Sequence, residues 1–541
     1  MTKFMLKAVV LFAVFEAVVA HAQTYKAPPH FNHIVIIFQE NRTPDNLFGA
    51  TPMTSPCGTE DPFETGVDIQ GGGPNLSSKQ NGGPSVTCLT ALSIPNGGDD
   101  HSHDPAWTRQ YNLGAMDGAC LRTGWPNCPQ YVYVPKPEVK PYFDIATSYG
   151  FANYMFQTQQ GPSFEAHQFI LGGTSAPVWP GDVNNYFQDF VAENASFYDS
   201  GCPVGSHGPT WVNPGNQELA DPNKSECYDR NTLVTYQDSS FLVHDKGVSW
   251  KYYTPLKGII WDAPEANPQI CYSASGPPPG NPACSGTEWG HVSLPNANTS
   301  APVLSDILNC QLPAISWVIP DEAWSDHPGG KDKSLGPSWV ADIVDAIGNA
   351  TTCDNGAGYW SDTAIFITWD DWGGFYDHVP PPADYVGHQS GQQWMCGSGD
   401  APNGWGCGYV YGFRVPLLVV SQYTPPLTVS GAISGPPTYP PPKDWTHDFG
   451  SILKFTENNF FGATAKIAPA NYTYADSNTL DTHGGLYTPL WEFFLGSPRN
   501  FTSIAPTNPA YDANYFINYY LTTQNGVYPQ PTGPEDGDPN D

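Results

Sequence analysis

Three short apolar runs constrain this chain most: H-I-V-I-I-F at 33–38, A-I-F-I-T-W at 364–369 and V-P-L-L-V-V-S at 415–421. The first runs on into Q-E-N-R and the second into D-D-W-G-G. A run without polar alternation has no face made for water, so it reads as a strand covered on both sides, as in a parallel sheet. Periodicity alone leaves a buried helix as the other reading. Helical patterns lie between the runs, as in S-W-V-A-D-I-V-D-A-I-G at 338–348 and H-D-F-G-S-I-L-K-F at 447–455. Such alternation specifies an α/β fold, with a central, mostly parallel sheet flanked by helices.

The rest of the chain is loop-rich. Its 541 residues exceed one simple domain, and they include 54 Gly and 56 Pro. Residues 51–100 and 200–300 read as loop insertions into a single domain spanning 23–525. Residues 1–22 read as a signal peptide: Lys3 and Lys7 precede a mostly apolar stretch at 8–20, interrupted by Glu16, and Ala20-His21-Ala22 offers a small-x-small cleavage site. Residues 526–541 read as a flexible acidic tail. No other segment approaches the ~18 uncharged apolar residues of a membrane span, so stable membrane insertion is not expected. Export to the periplasm or the medium is.

An exported chain with twelve cysteines and no C-x-x-C motif points to disulfides stapling the loops. Close neighbours are Cys57/Cys88, Cys120/Cys128, Cys202/Cys227, Cys271/Cys284 and Cys396/Cys407; pairing of neighbours is one connectivity among many. A net charge of −31, with only 21 Lys and Arg, excludes nucleic acid as a partner.

In open parallel sheets, ligands bind beyond the carboxyl ends of the strands. Glu40 and Asn41 follow the first run, and Asp370 and Asp371 follow the second. Four oxygen ligands from two strand ends suit one hard divalent cation, Mg²⁺, Ca²⁺ or Mn²⁺. The same residue types also serve as ordinary caps and turns. Asp370 and Asp371 are consecutive, so both reach one ion only if the strand breaks, and Gly373-Gly374 provides the means. Ser163, in G-P-S-F-E-A-H-Q-F, stands at a helix start, where free N–H groups attract anions; a plain N-cap is the alternative reading. No G-x-S-x-G surrounds it, so a nucleophile elbow is not indicated. Histidines fall in D-D-H-S-H-D (His101, His103), S-D-H-P-G-G (His327), F-Y-D-H-V-P-P-P (His378) and at His447, and each is suited to acid–base work or to a structural role.

Five segments, in order, resemble the phosphoesterase family that contains bacterial phospholipases C and one group of acid phosphatases. They are H-I-V-I-I-F-Q-E-N-R-T-P-D-N-L-F-G, G-P-S-F-E-A-H-Q-F-I-L-G-G-T-S, I-S-W-V-I-P-D-E-A-W-S-D-H-P-G-G, T-A-I-F-I-T-W-D-D-W-G-G-F-Y-D-H-V-P-P-P and H-D-F-G-S-I-L-K-F-T-E-N-N-F-F-G. The resemblance implies an alkaline-phosphatase-like fold and a secreted, metal-dependent phosphoesterase. Glu40, Asn41, Asp370 and Asp371 would hold one divalent metal ion. Ser163 would attack phosphorus and form a phosphoserine intermediate, while His101 and His327 contact phosphate oxygens or protonate the leaving group. His103 is an alternative to His101. The acid phosphatase branch carries a further mid-chain histidine, for which His291 is the nearest counterpart. His378 and His447 take supporting roles. The substrate would be a small-molecule or phospholipid phosphate ester, and aromatics such as Trp250, Tyr252, Tyr253 and Trp261 would either contact acyl chains or belong to the core.

Two other classes compete. A secreted non-enzymatic binding protein could present aromatics on stapled loops, but it has no need of a serine beside a metal site. A sulfatase of similar fold would need C-x-P-x-R or S-x-P-x-R, and Ser163 sits in neither.

Overall fold

The computed structural model describes residues 29–49, 88–97, 110–120, 128–159, 163–175, 201–203, 227, 232–234, 247–273, 283–329, 334–382, 411–432, 445–467, 474–478, 481 and 489–523, with the backbone of 190–193, 210–213 and 219–221. Among these, eight strands form the main sheet: β1 (His33–Gln39), β2 (Gly150–Ala152), β3 (Trp250–Tyr253), β4 (Val292–Ser293), β5 (Ile315–Val318), β6 (Thr363–Trp369), β7 (Leu417–Val420) and β8 (Thr428–Ser430). Their order is β8-β2-β7-β6-β1-β5-β3-β4. The two longest, β1 and β6, lie side by side and are buried at every residue.

Pairing is parallel from β6 through β1, β5 and β3 to β4, and again between β8 and β2. The run at 415–421, expected to join the parallel set, instead gives β7, which is antiparallel to both its neighbours. Its composition matches the others because burial on both faces, not direction, selects apolar residues. A second correction concerns 200–300: this stretch supplies β3 and β4 to the main sheet. Trp250, Tyr252, Tyr253 and Trp261 are at most 2 % exposed, so they belong to the core and offer no surface to acyl chains.

Side-chain alternation assigns the helices to the two faces. Phe38 and Phe366 point one way, against α3 (Ser163–Gly172) and α5 (Phe449–Phe461): Phe38 meets His167 and Phe449, and Phe366 meets Phe455. Trp369 points the other way and meets Tyr142 of α2 (Lys140–Ser148), which packs beside α4 (Gly336–Asn349). The expected helical patterns at 338–348 and 447–455 are thus realised as α4 and α5. The α5 start is specified locally, by a capping box between Asp448 and Ser451. A short helix, α1 (Pro44–Phe48), follows β1 directly and is capped by Thr43.

Disulfides join Cys120 to Cys128, Cys202 to Cys227 and Cys271 to Cys284, as neighbour pairing expects. Cys310 and Cys353, distant in sequence, tie the segment before β5 to the segment before β6. Cys57, Cys396 and Cys407 lie outside the described residues, as do the signal-peptide and tail segments. Among the described residues, no helix is long and apolar enough to cross a membrane.

Candidate active site

The register of β1 and β6, His33 opposite Thr363 through Gln39 opposite Trp369, brings Glu40-Asn41 and Asp370-Asp371 off adjacent strand ends at the same level. The Asp370 N–H donates to Gln39 O at 3.0 Å. Beyond that, a carboxylate replaces the next ladder carbonyl: Asp370 Oδ1 accepts the N–H of Asn41 at 2.9 Å and of Asp371 at 2.8 Å. Both chains then leave strand geometry. Asn41 has φ of +57°, Gly373 +59° and Gly374 +71°. A Cβ on Gly373 would stand 2.6 Å from Asn41 Cβ, so the two breaks fit together only with glycine there. The break returns the Asp371 carboxylate to the same side as Asp370. Its Oδ1 accepts from the Gly373 N–H at 2.6 Å, and its Oδ2 faces Ser163.

Ser163 is the first described residue of α3 and is fully buried. Its hydroxyl lies 3.3 Å from Asp371 Oδ2 and 3.4 Å from Glu40 Oε2. The structure therefore brings Glu40, Asp370, Asp371 and Ser163 into one cluster, with the Asn41 backbone N–H bonded to Asp370 Oδ1.

One member was not anticipated. His167 stands four residues after Ser163, hence on the same helix face. Its Nε2 is 3.3 Å from Glu40 Oε1 and 3.7 Å from Asp370 Oδ2. Its Nδ1 is 3.4 Å from the Tyr252 hydroxyl, which donates to Trp261 O at 2.8 Å. Burial pushes the His167 pKa down to about 4, with Asp370 opposing. The signal was present in S-F-E-A-H as i, i+4 spacing, but a single histidine in an apolar helix reads as core.

The other histidines separate. His327 is partly buried with its ring 6.2 Å from the Trp261 ring, and its Nδ1 is 2.8 Å from Pro328 O. A carbonyl only accepts, so Nδ1 carries the proton and a neutral ring leaves its lone pair on Nε2. The preceding Asp326 is buried, and its Oδ2 accepts from the Tyr142 hydroxyl at 2.8 Å and Trp369 Nε1 at 3.0 Å. Burial raises Asp326 to about 6, against the pull of Arg42. His291 stacks on Trp250, the first residue of β3, at 4.8 Å. Trp250 is level with Ile315 and Ile34, at the amino ends of the parallel strands, so His291 does not join the cluster. His101 and His103 lie outside the described residues. His378 Nδ1 lies 2.9 Å from Asp45 Oδ2, in a buried group where Arg414 pairs with Asp377 through two nitrogens, at 2.9 and 3.0 Å. His447 is held between Asp481 at 2.7 Å and Glu492 at 3.2 Å.

The donor set fits a divalent cation. Glu40, Asp370 and Asp371 are three carboxylates at zero exposure, and uncompensated burial of that much negative charge is strongly unfavourable. Asp370 Oδ2 is buried and accepts no hydrogen bond. Arg42, the basic residue next to the ligand run, turns its guanidinium to the carbonyls of Asp326 and Ile94, to Asn46 and over the Phe375 ring.

Fold and cluster together define an α/β protein with a hydroxyl and buried carboxylates at the carboxyl edge of a parallel sheet. A model of the Phosphoesterase family matches residues 31–461, and the chain belongs to that family. It is similar to a non-hemolytic phospholipase C of Burkholderia pseudomallei, 32 % identical over 169 residues that cover 30 % of this chain and 21 % of the relative. Similarity to phospholipase C B of Mycobacterium tuberculosis is 28 % over 230 residues, 40 % of this chain and 39 % of the relative. A non-hemolytic phospholipase C of Pseudomonas aeruginosa is 27 % identical over 173 residues, 30 % of this chain and 22 % of the relative. The chain matches well under half the length of each of these relatives.

Proposed function

We propose that this chain is an exported hydrolase of phosphate esters that depends on a divalent cation and uses Ser163 as its nucleophile. The observation that carries the reading is the Ser163 hydroxyl, held at a helix start between Asp371 Oδ2 and Glu40 Oε2. Glu40, Asn41, Asp370 and Asp371 would hold the ion, which supplies neutralisation of charge on the transferring phosphoryl group. The remaining chemistry belongs to side chains. Both carboxylates beside Ser163 can accept its hydroxyl proton as the oxygen attacks phosphorus. Free N–H groups at a helix start attract anions, so the start of α3 suits phosphate oxygens. His327 has its Nδ1 hydrogen held by Pro328 O, so it can donate from Nε2 only as the protonated ring; in that form it and His101 are assigned to phosphate-oxygen contact and leaving-group protonation. Water then hydrolyses the phosphoserine.

The relatives' names support phospholipid headgroup esters as one substrate class, with small monoesters as the other. The N-terminal signal pattern and the disulfides support export. A binding scaffold has no use for a serine buried among three carboxylates. The test is hydrolysis of p-nitrophenyl phosphate and p-nitrophenylphosphorylcholine by the purified protein, before and after dialysis against a strong chelator. At least one substrate should be cleaved, chelation should abolish cleavage, and a single divalent ion should restore it. Inertness toward both, or full turnover by protein shown to be metal-free by elemental analysis, contradicts the proposal.

A further inference from the structure

We infer that His167 is itself a ligand of the cation, so that the centre is a mixed nitrogen–oxygen site and not an all-oxygen one. This inference rests on the metal-dependent reading above and sharpens it.

The argument begins at Tyr252. A tyrosine hydroxyl has one hydrogen, and this one is donated to Trp261 O at 2.8 Å. The oxygen can then only accept from His167 Nδ1, 3.4 Å away, so Nδ1 carries the proton. A neutral His167 ring therefore keeps its lone pair on Nε2. That nitrogen faces Glu40 Oε1 at 3.3 Å and Asp370 Oδ2 at 3.7 Å. Three electron-pair donors thus converge with no hydrogen among them, and Asp370 Oδ2 is buried without a hydrogen bond.

Either a second proton on the ring or a cation relieves this arrangement. The distances favour the cation. A charge-assisted N–H···O contact closes to about 2.7–2.9 Å. Atoms sharing one ion at about 2.1 Å stand roughly 3.0–3.6 Å apart for angles of 90–120°. The pairs observed here fall in or next to the second range, as do Ser163 Oγ to Glu40 Oε2 at 3.4 Å and to Asp371 Oδ2 at 3.3 Å. Tyr252 would then perform the usual outer task of fixing a ligating imidazole by its other nitrogen. Imidazole in the donor set moves preference from Mg²⁺, Ca²⁺ and Mn²⁺ toward Fe²⁺ or Zn²⁺, and Mn²⁺ serves below as a paramagnetic probe of the same site.

The test uses full-length protein loaded with Mn²⁺, read by pulsed electron paramagnetic resonance and by titration. The parent should show imidazole ¹⁴N modulation on the bound Mn²⁺. His167→Gln should lose it and bind Mn²⁺ at least ~10-fold more weakly, and Tyr252→Phe should keep it while weakening binding about 10-fold. Because the first measurement is made on the parent, a variant that fails to fold does not spare the inference. Mn²⁺ bound without ¹⁴N modulation overturns the assignment of His167 alone and leaves the oxygen-ligand site standing. A parent that binds no divalent ion overturns the metal-dependent reading itself.

Discussion

At the scale of single residues, the cluster was legible to the extent that its chemistry is carried by unusual residue types at strand ends. Glu40, Asn41, Asp370 and Asp371 interrupt apolar runs, and Ser163 stands at a helix start, so each is visible as a departure from its surroundings. His167 was not, because a histidine one turn into a buried helix breaks no pattern; only its partners, 127 and 203 positions away as 167 − 40 and 370 − 167, reveal it. His291 shows the converse: its proximity in sequence to β3 says nothing about which end of the strand it faces. The residue-scale prediction concerns Ser163. Loss of an N-cap costs about 1 kcal/mol, whereas loss of a covalent nucleophile costs orders of magnitude in turnover. Ser163→Ala should unfold within a few degrees of the parent and be nearly inactive. Near-parental turnover in the variant would remove the mechanism.

At the scale of elements, the strands and helices followed from pattern, but direction and edges did not. Burial on both faces selects the same residues in β7 as in the parallel strands, so its reversal left no trace in composition. Strands β3 and β4 are only four and two residues long, and W-K-Y-Y is not an apolar run, so they passed for loop. What holds the ligand-bearing loops in place is also an element-scale matter. Asp45 on α1 follows the Glu40-Asn41 turn, and Asp377 follows the Asp371–Gly374 turn. Arg414 meets both, at 3.4 Å and at 2.9 Å, with zero exposure throughout. Removing one partner of a buried ion pair strands the others. Arg414→Met should therefore lower the free energy of unfolding by about 3–5 kcal/mol in urea titrations. A loss under ~1 kcal/mol would mean that the two loops are held by other contacts.

At the scale of the molecule, titration of the interior sets how stability responds to pH. Burial raises Asp377 to about 6, Glu265 to about 7 and Asp342 to about 8. A carboxyl whose folded pKa exceeds its unfolded value of about 4 contributes stability that is complete below pH ~4 and lost as pH rises through 6 to 8. His447 acts in the same direction over a higher window. Burial alone would lower its pKa, but Asp481 and Glu492 hold it up at about 10, so its contribution is complete below pH ~6.5 and lost as pH rises toward 10. With the cation site kept saturated, the thermal midpoint should therefore rise as pH falls from 9 to about 5. A flat or inverted profile over that range would show that these groups are solvated. The disulfides and the net acidic charge fit the proposed export, and both were apparent from composition, while the Cys310–Cys353 link was not, because its partners meet only through the β5–β1–β6 arrangement. The central proposal is that the Ser163 oxygen takes the phosphoryl group while the carboxylates that follow β1 and β6 hold a cation. The most direct test is acid quenching of the cation-loaded protein during turnover, followed by peptide mass spectrometry. The account predicts one added phosphoryl group on the peptide containing Ser163, located on that residue and absent without substrate. An active enzyme that carries its phosphoryl group on another residue, or none at any time under single-turnover conditions, would contradict it.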